Sequence, residues 1–186
     1  MHLTDLDHEW AKSYAMQALS DLDAREVLVR ASVSKCHRLH FLQMAAEKMC
    51  KAHLTLKNGH ARMKKTHEVI KKNLPIIART FYARNSRNNK AAQRQITAIR
   101  QLAFQIEVLA PACDHGGNRP DNTEYPWQDG NGKIHTPCDH TFTNIDDGPG
   151  NRSIGPLVRL IRTAADSFRK QTDGSLGISS GERSGI

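Results

Sequence analysis

The chain has 186 residues, a formal net charge of +8 and 38% apolar side chains. That length supports one domain with a real core rather than two, and no apolar run reaches the roughly 20 residues of a membrane span. The start, Met1 to Asp7, is acidic and lacks the basic and apolar regions of a signal peptide. This places the protein in the cytoplasm, away from membranes, with Cys36, Cys50, Cys113 and Cys138 reduced.

In chain order, a first helix is expected from about Asp7 to about Arg30, capped by Asp5 or Asp7. Trp10, Tyr14, Leu19 and Leu22 supply its apolar bulk. Ser32-Val33-Ser34 interrupts the pattern, Ser34 is the cap candidate for a second helix, and Asn58-Gly59 is its stop signal. In that second helix Leu42, Ala45, Ala46 and Met49 recur at helical spacing, and the alanines let a neighbouring helix come close. A third helical segment starts near Thr66. Pro75 lacks an N–H and crowds the preceding turn, so a kink or restart is expected at Asn73–Pro75. Arg84 to Asn89 reads as a polar connection.

A fourth helix follows, with Ala92, Ile96, Ile99, Ala103, Ile106 and Ala110 on one face. Pro111 ends it. Residues 111–151 contain five prolines and six glycines and read as an insertion. Within it Tyr125–Gln128 and Lys133–Thr136 flank Asp-Gly-Asn-Gly, a hairpin signal. Tyr125, Trp127, Ile134 and Phe142 are its expected anchors on the bundle. A fifth helix is expected after Gly155-Pro156, with Leu157, Leu160, Ile161, Ala164 and Phe168 inward. From Thr172 onward the chain is rich in glycine and serine and reads as a disordered tail. The expected fold is all-α: an up-and-down bundle of four main helices plus a C-terminal fifth, with a hairpin-bearing insertion, forming a single domain over residues 1–171.

Charge is segregated along the chain. Residues 35–100 hold sixteen Lys and Arg against only Glu47 and Glu68, a net +14, whereas residues 101–151 hold two bases and eight acids, a net −6. Either the acidic insertion packs over the basic helices and balances them, or a basic face meets phosphates. The candidate phosphate-binding residues are Lys64, Lys65, Lys71, Lys72, Arg84 and Arg87. The two lysine pairs lie seven residues apart and project from one side of a helix.

The second helix also contains Gln43-Met44-Ala45-Ala46-Glu47-Lys48. It resembles the Gln-x-Ala-Ala-Glu-Lys helix of HEPN domains, small helical bundles of prokaryotic toxin and nucleotide-binding systems, over about the first three fifths of the chain. The resemblance implies a helical bundle that homodimerises, a nucleotide or RNA ligand, and a cognate nucleotidyltransferase or antitoxin as partner. Many HEPN toxins are metal-independent ribonucleases with an Arg, a polar residue and then a His near the start of a late helix. Arg84-Asn85 matches that beginning, but positions 89 to 91 are Asn, Lys and Ala. Arg62 with His67, and Arg30 with His37, match the spacing at other places along the bundle. The expectation is therefore a non-catalytic binding module without a cofactor, with a toxin-type ribonuclease as the alternative.

Two further constellations fall in the insertion. Cys113-Asp114-His115 and Cys138-Asp139-His140 repeat one tripeptide, and His135 lies near, so zinc-ligating atoms are present without the usual close cysteine pair. A zinc-bearing interaction protein is thus a third reading, although no metal ligand set is assigned. Arg119, Asn122, Glu124, Tyr125 and Trp127 join a cation, an amide, a carboxylate and two aromatics, a mix suited to a polar ligand held on a flat apolar wall. The plainer reading is a loop lid with both aromatics buried on the bundle.

Overall fold

The computed structural model describes residues 3–63, 68–85, 89–111, 121–147 and 154–173. It is an all-α bundle with a two-stranded hairpin insertion. Helix α1 spans Asp5–Arg30. Its cap is Thr4 rather than Asp5 or Asp7. The Thr4 hydroxyl accepts from the Asp7 N–H at 3.2 Å, and the Asp7 carboxylate accepts from the Thr4 N–H at 2.9 Å, a reciprocal box that satisfies two otherwise unpaired donors. The buried seam of α1 is Ala11, Ala15, Ala18 and Leu22, while the bulkier Trp10, Tyr14 and Leu19 are only half-buried.

Helix α2 spans Lys35–Asn58 and returns antiparallel to α1, since Asp21 pairs with Lys48 and Asp7 with His60. Ser34 is at the N-cap position, but its side chain makes no capping hydrogen bond. Gly59 ends the helix at φ +79°, a conformation open to glycine and strained for other residues. Leu42, Ala45, Ala46 and Met49 are sealed in the core. Alanine on both helices lets the two backbones approach closely, which is how this pair buries so much with few large side chains.

After a short 3-10 turn at His60–Arg62, α3 spans Ile70–Asn85 and α4 spans Asn89–Glu107. Of the kink or restart expected at Asn73–Pro75, the restart does not occur: α3 continues through Pro75. A proline in the second turn removes only one intrahelical hydrogen bond, and buried Leu74, Ile77 and Ala78 hold the helix in place. Helix α4 is antiparallel to α3: the Lys71 N–H donates to the Glu107 carboxylate at 3.1 Å. It begins three residues before Ala92, the first residue of its apolar stripe. After Glu107 the chain tightens into turns, with Leu109 N–H to Ile106 O and Ala110 N–H to Glu107 O.

Helix α5, Ile154–Asp173, begins just before Gly155-Pro156. Pro156 lies in its first turn, where a missing N–H has no intrahelical role. Leu157, Leu160, Ile161 and Ala165 are buried, and Arg162 reaches Asp23 and Glu26 of α1 at 2.8 and 2.7 Å. The helix runs two residues past the expected start of the tail; residues 174–186 lie outside the described residues.

In the insertion, β1 (Trp127–Gln128) and β2 (Ile134–His135) pair antiparallel, Trp127 opposite His135. Gly132 at φ +82° and the Asp129 carboxylate, which accepts from the N–H groups of Asn131 and Lys133, shape the turn. Of the four expected anchors Phe142 is buried, Trp127 half-buried, and Tyr125 and Ile134 are 61% and 69% exposed. Ile145, with Phe142, fixes the insertion to the core. Among the described residues no helix is long and apolar enough to cross a membrane.

Candidate nucleic-acid interface

Helices α3 and α4 form a hairpin with no acidic residue between Glu68 and Glu107. Its core side is apolar: Ile70, Leu74 and Ile77 of α3 meet Ile96, Ile99 and Ala103 of α4. The cations must then lie outward. Lys71, Lys72, Arg79, Arg94 and Arg100 are all exposed, and none of the five makes an ion pair with another described residue. Lys72 and Arg79 are seven residues apart on α3, two turns along one face. On the opposite side of α4 from its core stripe, Arg94 alternates with the exposed amide of Gln101. Phe104 is 45% exposed, and the Lys71 ammonium lies 5.0 Å from its ring centre, which keeps that cation at the surface against an aromatic face.

Of the six phosphate-binding candidates read from the sequence, the structure places Lys71 and Lys72 side by side at the start of α3. Arg84 belongs to the last turn of α3, and its side chain lies outside the described residues, as do Lys64, Lys65 and Arg87. Arg79, Arg94 and Arg100 were not among the candidates. The acid-free run from residue 69 to 106 was the signal that marks them.

Among the described residues no insertion carboxylate pairs with Lys71, Lys72, Arg79, Arg94 or Arg100. Two of the insertion's carboxylates go to α2. Asp147 meets Arg38 at 2.9 Å and Lys35 at 4.0 Å, and Glu124 lies 3.6 Å from His40. Two more insertion acids pair within it: Asp129 with His135 at 2.8 Å and Asp121 with His140 at 3.7 Å. The His135 bond, then the two backbone N–H donors, hold the Asp129 carboxyl below its ordinary pKa. Trp127 stacks on His135 and meets His140 edge-on, so these rings form one packed unit that fastens the hairpin.

The ligand-loop residues do not converge on a common point. The Asn122 carbonyl oxygen is buried and accepts from the N–H groups of Glu124 and Tyr125, which makes it a turn-forming residue. Glu124 is turned to His40, Tyr125 stands in solvent and Trp127 packs on imidazole; Arg119 lies outside the described residues. The Gln43–Lys48 motif is likewise structural in its contacts. Gln43 donates to Glu47, Glu47 pairs with Lys51 at 2.7 Å, and Lys48 pairs with Asp21 at 2.6 Å.

Arg30 and His37 are exposed on either side of the α1–α2 turn, and Arg62 lies in the 3-10 turn; its spacing partner His67 is outside the described residues. Among the described residues no group of three or more His, Cys, Asp and Glu side chains is placed to hold a metal ion. Cys113, Asp114 and His115, half of the repeated tripeptide, are not among them. Compared with models of protein families, with curated proteins and with solved structures, the chain matches none.

Proposed function

We propose that the chain is a non-catalytic, HEPN-like helical module that binds RNA through the outward face of the α3–α4 hairpin. The observation that carries this reading is the set of five exposed cations on an acid-free hairpin, none of which forms an ion pair among the described residues. Such a surface attracts a polyanion by neutralising phosphates and releasing their counterions, which requires no shaped pocket. The exposed amides and the single exposed Phe104 supply little base stacking, so the binding is sequence-tolerant and governed by the backbone. The likeness of the α2 motif to HEPN bundles supports a nucleic-acid role and carries with it a homodimer and a nucleotidyltransferase or antitoxin partner.

The test is fluorescence anisotropy of the protein with a labelled single-stranded RNA across a salt series. Affinity falls steeply with salt, and replacing Lys72 and Arg79 together by Glu weakens binding while lowering the salt slope by about one unit for each contact removed. Absence of binding at low salt, or binding indifferent to K72E/R79E, overturns the reading.

A further inference from the structure

Arg25 lies near the end of α1, 7% exposed, with its Nε sealed from solvent. No hydrogen bond to this guanidinium forms among the described residues. Its charged neighbours are Asp147, Arg38 and Glu26. Each of the two acids already has an ion-pair partner, although Asp147 Oδ2 and Arg38 Nε, like Arg25 Nε, lack a hydrogen bond among the described residues. Asp147 receives Arg38, with Nε 2.9 Å from Oδ2 and Nη2 donating to Oδ1 at 3.3 Å, and has Lys35 at 4.0 Å. Glu26 is held by Arg162 at 2.7 Å. Lys35 donates to the Phe142 carbonyl at 2.7 Å, which places its ammonium at the same end of the hairpin, with Asp147 as the carboxylate it shares with Arg38. Three cations therefore face one shared carboxylate.

A guanidinium offers five N–H donors and keeps its proton in proteins, so it cannot relieve its burial by becoming neutral. Burial pulls the Arg25 pKa down from its ordinary value, with Asp147 opposing that change and Arg38 adding to it. A water molecule would satisfy donors without balancing the charge; an oxyanion does both, and the guanidinium fork matches its oxygens.

We propose that Arg25, Arg38 and Lys35 form a receptor for a phosphate group at the turn end of the α1–α2 hairpin, with Asp147 as the fixed counter-charge that orients Arg38. The site uses α1, α2 and the insertion and takes no residue from α3 or α4, so it is separate from the proposed RNA face. Its ligand is either free inorganic phosphate or the terminal phosphate of a nucleotide.

The experiment is thermal unfolding of the full chain in rising inorganic phosphate against chloride of equal ionic strength, repeated with a nucleoside triphosphate. Selective binding to the native state raises the transition temperature with ligand concentration. Arg25→Met removes that rise while the ligand-free protein stays folded, because an apolar side chain of similar length fills the buried position. Arg25→Lys, the safeguard if the Met variant does not fold, keeps the charge but loses the fork and weakens phosphate binding about tenfold or more. K72E/R79E keeps the full phosphate response, which separates this site from the RNA face. A nucleotide that binds no more tightly than phosphate identifies the free ion as ligand, and one that binds more tightly identifies the nucleotide; both support the receptor. No stabilisation of the native chain beyond chloride, or equal stabilisation of the native and Arg25→Met proteins, overturns it.

Discussion

The α1–α2 and α3–α4 pairs are both antiparallel helical hairpins with alanine in their seams, and both carry several cations, yet they dispose of charge differently. On the first pair the cations meet acids: Lys48 meets Asp21, Lys51 meets Glu47, and Arg38 meets Asp147. Lys51 is buried with its partner at 8% exposure. On the second pair no acid is available between Glu68 and Glu107, and Lys72, Arg79, Arg94 and Arg100 remain in solvent. Burying a cation is costly unless a counter-charge and hydrogen bonds replace its water. Acids along the chain therefore determine where basic residues act as internal fastenings and where they stay available to a partner.

The sharpest way to break the comparison is to detach the insertion that serves the first pair. Phe142 is 1% exposed and among the largest sealed side chains. Phe142→Ala destabilises the protein by about 3–5 kcal/mol in chemical denaturation. A loss near zero would mean that the insertion is a removable cover rather than part of the core.

Next in size is Asp147→Asn. The Asp147 side chain is 5% exposed and that of Arg38 22%, so losing the carboxylate strands a largely buried cluster of cations. The expected loss is about 2–3 kcal/mol, below the full value for a buried pair because Arg38 keeps some water. Denaturant midpoints of the two proteins measure it, and equal midpoints would refute the fastening role.

Asp7 sharpens the same contrast through pH. Backbone donors from Thr4 and His60, followed by their side chains, hold its carboxyl well below the ordinary carboxylate range. Because the folded value is the lower one, the contribution is fully present above about pH 4, the unfolded carboxylate value, and is lost as pH falls through the folded value. Native and Asp7→Asn proteins should differ in urea midpoint at neutral pH and converge in strong acid. A gap that stays constant with pH would mean that Asp7 acts only by its shape.

The smallest stability effect belongs to the second pair. Lys72→Ala and Arg79→Ala should each change stability by no more than about 0.5 kcal/mol, measured by the same denaturant melts. A larger loss would show that these exposed cations have an internal role after all.

The bundle was legible because its helices repeat apolar residues at a period that only a helix satisfies, as in Ala92, Ile96, Ile99 and Ala103. The alanine seam of α1 was less visible, since Trp10 and Tyr14 draw attention by size while Ala11, Ala15 and Ala18 do the packing. The Thr4-to-Asp7 box was readable as a local motif, but adjacent acids competed for the cap position. At the site, composition pointed to the basic middle of the chain. Which cations stay free depends on contacts across more than a hundred positions, such as Arg38 with Asp147, and no local pattern encodes those. Likewise Tyr125 reads as an anchor by its apolar ring, yet the turn at Asn122 directs it to water.

Those distant contacts also set an order of assembly. The Lys35–Phe142 and Arg38–Asp147 bonds join positions 107 and 109 residues apart, and closing so long a loop costs more chain entropy than forming the adjacent α1–α2 hairpin. The first hairpin can therefore collapse early, but as the chain emerges from synthesis Arg38 has no counter-charge until Asp147 appears. Helix α5, the last to arrive, then ties Arg162 to Asp23 and Glu26 of the first helix. A nascent chain stalled before residue 147 would present, on α1 and α2 as well as on the second hairpin, cations that the finished protein withdraws from view.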